Sequence, residues 1–120
     1  MDINTIKDYI IKKYPDSSLA YNYNRNYYCD EELMESCENF FYYEKLRWCG
    51  CGDPDSAKKV IKEYFRAVKA RSVDVNNDLV LCLAYTMDAA GLTDHGSSIC
   101  GAWLTDEGEM FLWLLEQNGR

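Results

Sequence analysis

The chain has 120 residues, and its contents of 48% hydrophobic and 14% aromatic residues exclude a generally disordered protein. Its net charge of −7 arises in one region, because residues 72–119 contain eight carboxylates and no Lys or Arg, whereas residues 1–71 contain twelve acids and twelve bases. An acidic surface repels nucleic acid and attracts basic proteins, so this charge distribution favours a protein partner.

Apolar residues at helical spacing and helix-breaking residues divide the first 71 residues into three helices and one loop. Pro15 ends the first periodic segment, because a helix interior rarely tolerates proline. Asp53 followed by Pro54 is a strong helix start, since aspartate caps a helix and proline suits its first turn. In chain order, the predicted elements are a helix over 2–14, a loop over 16–28, a helix capped by Asp30 and running to about Arg47, and a helix after Asp53 that buries Val60, Ile61, Tyr64, Phe65 and Val68.

Six basic residues crowd the third of these helices and its exit, at Lys58, Lys59, Lys62, Arg66, Lys69 and Arg71. The spacing of 58, 62 and 66 places three of them in one row on the helix surface. Such a row suits contact with phosphate or with an acidic protein surface. The favoured interpretation is a solvated face opposite the apolar stripe of Val60 to Val68.

The acidic part of the chain predicts two further helices on either side of a small β-hairpin. The expected order is a helix capped by Asn76 or Asn77, running through Ala90 and closed by Gly91, then a hairpin with apolar stretches near Leu92 and over 99–104, then a helix capped by Thr105 that buries Met110, Phe111, Leu114 and Leu115. The predicted fold class is therefore mainly α with a small β-hairpin, in a single domain spanning 1–120.

This order of elements resembles the second half of a winged-helix domain, in which a hairpin follows the helix that reads DNA. Gly91-Leu92 would open the wing, and residues 104–108 would lead into the last helix. The resemblance implies a winged-helix-like part over 72–120, with N-terminal helices over 1–71. The helix before the wing carries no base, so it lacks the chemistry for reading a DNA groove. The carboxylates then form either a solvated face or a dedicated acidic surface.

The six cysteines carry the clearest chemistry in the sequence. Cys49 and Cys51 stand one residue apart, a spacing that strains a mutual disulfide but allows both thiolates to bind one metal ion. The neighbouring glycines let the backbone fold around a metal, and the start of the following helix favours the thiolate. A structural zinc site is therefore predicted, with His95 as the candidate third ligand.

The fourth zinc ligand is open, because the spacing does not match a pair of C-x2-C motifs. Cys100, five residues after His95 in the same hairpin, is the candidate, and Cys37 and Cys29 are alternatives. Cys82 lies in an apolar run and is expected in the core.

Sequence motifs for catalysis and for targeting are scarce. The chain has no phosphate-binding loop with a lysine, no Gly-x-Ser-x-Gly motif and no His-Glu-x-x-His motif, so enzyme activity is not expected. Its N-terminus lacks the pattern of a secretory signal, and no stretch approaches 18 apolar residues. A cytoplasmic location is therefore expected.

Two segments, 48–54 with Trp-Cys-Gly-Cys-Gly and 91–105 with His-Gly-Ser-Ser, resemble a group of small proteins encoded by bacteriophages and mobile elements of Gram-positive bacteria. Cys49, Cys51 and His95 match positions that recur in this group, whereas Cys100 stands where the group more often has glycine. Proteins of this origin include anti-CRISPR inhibitors, some of which bear zinc. The resemblance implies an inhibitor that binds a Cas9-type effector in the cytoplasm of a bacterial host cell.

We therefore expect an inhibitory protein that binds a basic partner through an acidic surface and blocks nucleic-acid loading or a later conformational change. Exposed Tyr or Trp side chains would add anchors to this surface. One alternative is a winged-helix DNA-binding regulator that uses the bases from Lys58 to Arg71, and another is a structural zinc module of a larger assembly. The residues expected to contact a basic partner are Asp78, Asp88, Asp94, Asp106, Glu107 and Glu109.

Overall fold

The computed structural model describes residues 1–23, 29–47 and 53–119, which form a mainly helical fold with a two-stranded antiparallel sheet. The predicted fold class is thereby confirmed. In chain order, the described elements are α1 Ile3–Lys13, α2 Ser18–Tyr23, α3 Asp30–Asn39, a π-helical segment Phe40–Lys45, α4 Pro54–Ala70, α5 Asp78–Ala89, β1 Thr93–Asp94, a 3-10 turn Ile99–Gly101, β2 Trp103–Leu104 and α6 Asp106–Gln117.

Side-chain caps begin α4, α5 and α6 where the sequence predicts them. Asp53 accepts a hydrogen bond from the backbone N–H of Ser56 at 3.0 Å, and Pro54 occupies the first turn of α4. Asn77, rather than Asn76, caps α5. Thr105 accepts from the backbone N–H of residue 108 at 3.1 Å at the start of α6. Each cap satisfies a backbone donor that the first turn leaves without a partner.

Residues 18–23 form α2, so the prediction of a continuous loop over 16–28 is wrong for this part. The hydroxyl of Ser17 accepts from the backbone N–H of Ala20 at 3.2 Å, and Leu19 and Ala20 are buried. A serine cap and two apolar contacts therefore suffice for a short helix. Residues 24–28 lie outside the described residues.

The predicted second helix is observed with two differences. Cys29, not Asp30, is the N-cap of α3, and its side chain makes no capping bond. The helix also continues as a π-helical segment and ends at Lys45, before Arg47. In that segment the backbone N–H of Leu46 donates to the carbonyl of Phe41 at 2.7 Å, five residues back. Such wider turns are rare inside helices and frequently occur at functional sites.

One hydrophobic core joins α1, α3, α4, α5 and α6. At its centre Phe41 stacks on Phe111 with 5.5 Å between ring centroids, and Phe65 meets Phe111 edge-on at 5.8 Å. Offset and edge-to-face aromatic contacts of this kind add to the stabilisation that burial provides. Across the described part of the chain, none of the helices has both the length and the apolar character needed to cross a membrane.

The hairpin is shorter than its apolar stretches suggest, because Ile99–Gly101 forms a 3-10 turn rather than strand. The two strands pair Thr93 with Leu104 and Asp94 with Trp103. The hairpin is held against α6 through Thr105, whose backbone N–H donates to the carbonyl of Leu92 at 3.1 Å. The hydroxyl of Thr105 also donates to the carbonyl of residue 91 at 2.7 Å.

Two glycines make this junction possible. Gly91 has a φ of +75°, which places it in the left-handed region that commonly ends a helix. A Cβ atom added at Gly108 would lie 2.0 Å from the carbonyl oxygen of Leu92, so only glycine allows α6 to approach this backbone. The expected order of helix, Gly-Leu, hairpin, Thr and helix is thus present.

Candidate partner-binding site

The hairpin presents a tryptophan beside a carboxylate. Trp103 is 52% exposed, and it lies directly opposite Asp94 in the strand register, so the two side chains project from the same face of the sheet. Asp94 is exposed, and its Oδ1 accepts from the backbone N–H of His95 at 2.8 Å. Asp106, two residues beyond β2 at the start of α6, is also exposed. We refer to Asp94, Trp103 and Asp106 as the hairpin surface.

An open groove of about 640 Å³ adjoins the hairpin surface. Trp103 contributes to its lining, together with apolar side chains that include Val73, Val75 and Leu104. Lys69 and Glu109 also line the groove, and they form an ion pair with 3.1 Å between Nζ and Oε2. The groove therefore offers apolar contact area beside Trp103.

The remaining predicted acidic residues differ in their availability. Asp78 is exposed at the first position of α5. Asp88 is partly buried, with Oδ1 3.5 Å from Nε2 of His95, and Glu109 is partly buried and paired with Lys69. By contrast, Asp78, Asp94 and Asp106 form no ion pair with any base that the structure describes.

Glu107 does not belong to an exposed acidic surface, and its predicted role in partner contact is wrong. It is only 6% exposed. Its Oε2 accepts hydrogen bonds from the hydroxyls of Tyr9 and Tyr14 and from Nζ of Lys13, each at 2.8 Å, and Nζ of Lys45 lies 3.6 Å from Oε1. The carboxylate therefore ties α1 to α6 inside the protein.

Hydrogen bonds set the ionisation of Glu107. Burial by itself would raise the pKa of this carboxyl, but the hydrogen bonds from Lys13, Tyr9 and Tyr14 outweigh burial and hold the pKa below its ordinary value. The same carboxylate raises the pKa of Lys13. Glu107 is thus charged at neutral pH even though it is buried.

The basic row on α4 is largely neutralised within the fold. Lys58 is 3% exposed, so its predicted place on an outer basic face is wrong: Nζ lies 2.7 Å from Oε1 of Glu38 and 3.0 Å from Oδ1 of Asn39. Arg66 pairs with Glu116 at 2.9 Å, as Lys69 does with Glu109. Lys59 and Arg71 remain exposed.

The buried charges follow a helical periodicity that the sequence does show. Lys58 stands three and seven residues before the buried Ile61 and Phe65, and Glu107 stands four and seven residues before the buried Phe111 and Leu114. This spacing places each charged residue on the apolar face of its helix. A charged residue that shares the helical spacing of the apolar residues therefore indicates a buried charge, which a count of charges does not reveal.

Of the predicted zinc ligands, Cys49 and Cys51 lie outside the described residues. His95 is partly buried, with Nδ1 2.8 Å from the carbonyl oxygen of Gly96. Since a carbonyl only accepts, Nδ1 carries the proton in this contact. Nε2 is then the ring nitrogen left for a metal, as is common among metal-binding histidines, and it lies 3.5 Å from Oδ1 of Asp88. Cys100 is exposed.

Of the alternative ligands, Cys29 is exposed, whereas Cys37 is buried in the core. Burial raises the pKa of the Cys37 thiol to about 12, which opposes the thiolate that zinc requires. Cys82 is exposed, so its predicted burial is wrong. Within 1–23, 29–47 and 53–119, no three His, Cys, Asp or Glu side chains are grouped so that they could hold a metal.

The hairpin surface has the chemistry of a binding site, since carboxylates attract Lys and Arg and an exposed indole provides apolar contact. Comparison of the chain with protein-family models, curated proteins and solved structures gives no match.

Proposed function

We propose that this chain is an inhibitory binding protein of the phage type, an anti-CRISPR that binds a Cas9-type effector through the hairpin surface. The observation that carries the proposal is the exposed pair of Asp94 and Trp103, which face the solvent from opposite strands of the hairpin. The motif resemblance supports the class of partner. The chain acts by occupying a surface and not by catalysing a reaction.

The charge of the hairpin surface suits this partner. Cas9-type effectors hold guide and target in positively charged channels, and Asp94 and Asp106 offer carboxylates that form no ion pair with the described bases. Trp103 supplies the kind of aromatic anchor that dominates the energy of many interfaces. Binding in or beside such a channel blocks DNA loading or the later activating conformational change.

The ion pairs of α4 weigh against the alternative of a DNA-binding regulator. That function requires the row of Lys58, Lys62 and Arg66 to face phosphates. Lys58 is instead buried against Glu38, and Arg66 pairs with Glu116. Losing these pairs in order to bind DNA would leave Glu38 as an uncompensated buried charge, which is costly.

A DNA-cleavage assay tests the proposal. Guide-loaded Cas9-type effectors from Gram-positive bacteria are incubated with the chain either before or after target DNA is added, and both DNA binding and cleavage are measured. We expect inhibition of at least one effector when the chain is added first. Loss of DNA binding would indicate blocked loading, and loss of cleavage alone would indicate a blocked conformational change.

In this assay, the Trp103→Ala variant tests whether the hairpin surface is the binding site. Tyr43→Ala is the control, because Tyr43 is 53% exposed and lies on a different element. We expect Trp103→Ala to reduce inhibition and Tyr43→Ala to preserve it. Full cleavage by every effector in the presence of excess chain would overturn the proposal. Salt-dependent binding of the chain to duplex DNA would favour the regulator instead.

A further inference from the structure

Helix α5 is apolar on both of its sides. Leu83 and Met87 on its inner side are buried in the core, yet Leu79 and Tyr85 on its outer side are 55% and 63% exposed, and Cys82 between them is exposed as well. A helix that is apolar all round is normally buried on all sides. The outer side of α5 therefore lacks the contact that its composition calls for among the described residues.

The outer residues form one continuous stripe. Leu79, Cys82, Tyr85 and Ala89 follow one another at steps of three and four residues, which places them along one side of the helix. Thr86, seven residues after Leu79, lies on the same side of the helix, and it donates its hydroxyl to the carbonyl of Cys82 at 2.7 Å, so its polar group already has a partner. We refer to Leu79, Cys82, Tyr85 and Ala89 as the α5 face.

The two ends of the α5 face carry opposite charges. Asp78 is exposed at the N-terminal end. At the C-terminal end, Arg47 and Lys45 share an open depression of about 550 Å³ with Tyr85 and Ala89. Lys45 is already paired with Glu107, whereas Arg47 is exposed. Neither Asp78 nor Arg47 forms an ion pair with another residue that the structure describes.

We propose that the α5 face binds the α5 face of a second copy of this chain, with the two helices antiparallel about a two-fold axis between Cys82 and Tyr85. A two-fold contact requires a self-complementary surface. In this arrangement the end that carries Asp78 meets the end of the other copy that carries Arg47, so two acid–base pairs flank an apolar centre. A parallel arrangement would instead bring the two Asp78 side chains together.

Asp88 is a further acid near the C-terminal end of α5, and its Oδ1 lies 3.5 Å from Nε2 of His95. The proposal is independent of the hairpin surface, because Asp94, Trp103 and Asp106 take no part in it. A dimer could therefore form whether or not the chain inhibits a Cas9-type effector. A negative result in the DNA-cleavage assay would leave the dimer untouched, and a monomeric chain would leave the proposed inhibition untouched.

Sedimentation velocity of the full-length chain over a wide concentration range tests the dimer. We expect a reversible monomer–dimer equilibrium in the wild type. Tyr85→Ser should weaken the dimer by about tenfold or more, because Tyr side chains near the centre of an interface often dominate its energy. Tyr43→Ser is the control, since Tyr43 is also exposed and lies outside the α5 face.

Reversal of the charges at Asp78 and Arg47 tests whether the two α5 helices pack antiparallel. Asp78→Arg alone and Arg47→Asp alone should each weaken the dimer by about tenfold or more, and the double variant should restore it. A wild type that is monomeric throughout would overturn the proposal, and so would a dimer that is insensitive to Tyr85→Ser or is not restored by the double reversal.

Thermal unfolding of each variant is recorded in parallel. A large loss of monomer stability in Tyr85→Ser would show that this side packs within the chain and would also overturn the proposal.

Discussion

Glu107 joins the N-terminal helix to the last helix through a buried carboxylate that accepts hydrogen bonds from Tyr9, Tyr14 and Lys13. These bonds, together with the charge of Lys45, lower its pKa from the ordinary value of 4.5 in spite of burial. A carboxyl whose pKa is lower in the folded state stabilises the fold at higher pH. That stabilisation is lost as the pH falls below 4.5 and through the pKa of the folded state.

We predict that Glu107→Gln lowers the free energy of unfolding at pH 7 by about 3 kcal/mol, because the variant loses three charge-assisted hydrogen bonds. The difference from the wild type should narrow when urea unfolding is repeated well below pH 4.5, where Glu107 itself becomes protonated. The control Glu109→Gln removes a surface ion pair and should cost about 0.5 kcal/mol. An equal difference at both pH values would contradict this account of Glu107.

Cys49 and Cys51 remain predicted zinc ligands, with His95 as the third. Elemental analysis of protein purified without chelator should find one equivalent of zinc per chain, and Cys49→Ser/Cys51→Ser should lose both the zinc and thermal stability. Cys82→Ser is the control for zinc content, because this exposed thiol is not among the predicted ligands. A wild type without metal would refute the zinc site, whereas zinc retained by the double variant would place its ligands elsewhere.

Between elements, α6 approaches the backbone before β1 closely at Gly108. We predict that Gly108→Ala destabilises the protein by about 3 kcal/mol, because the added methyl group would overlap the carbonyl of Leu92 and force the helix away. Gly96→Ala is the control, since a Cβ at Gly96 meets no atom within 4 Å. Urea unfolding measures both variants, and equal stabilities would show that α6 does not need this contact.

The ion pair of Lys58 with Glu38 joins α4 to α3, and the side-chain amide of Asn118 donates to Oε2 of the same carboxylate from beyond the end of α6. We predict that Lys58→Ala costs about 4 kcal/mol, because it leaves Glu38 charged and buried without its partner. The adjacent Lys59→Ala should cost about 0.5 kcal/mol or less, since Lys59 is exposed. Similar losses for the two variants in chemical denaturation would be inconsistent with a buried pair.

Local signals explain which elements the sequence could predict. Asp53, Asn77 and Thr105 mark helix starts because a cap acts on neighbouring backbone groups, and Gly91 marks a helix end for the same reason. The sequence does not predict the short helix α2, because residues 16–28 as a whole are rich in Asp, Ser, Asn and Tyr and show no helical periodicity. Its buried side chains, Leu19 and Ala20, are identified only by their packing in the folded protein.

The candidate site was harder to predict because burial of a charge depends on distant partners. Glu107 resembles the exposed Asp106 in composition and position, yet it meets Tyr9 and Lys13 more than 90 residues away in the chain. Cys82 sits in an apolar run, but the run forms a helix with only one side in the core. The pairing of Asp94 with Trp103 required the register of the hairpin.

Across the whole molecule, internal ion pairs neutralise part of the negative charge that is counted in the sequence. Glu107, Glu109 and Glu116 of the acidic part pair with bases from α1, the π-helical segment and α4. The carboxylates that remain exposed without a described base as partner include Asp94 and Asp106. The acidic surface is therefore smaller than the charge count suggests, and part of it lies beside Trp103.

The central claim, that the hairpin surface binds a Cas9-type effector, is tested most directly by the affinity of Asp94→Lys/Asp106→Lys for guide-loaded effector. The control Asp16→Lys/Asp30→Lys makes the same change in net charge, and Asp30, like Asp106, is exposed and begins a helix. We predict that the hairpin variant weakens binding by about tenfold or more, while the control stays within about twofold of the wild type. Equal affinities for the two variants would contradict a binding role for the hairpin surface.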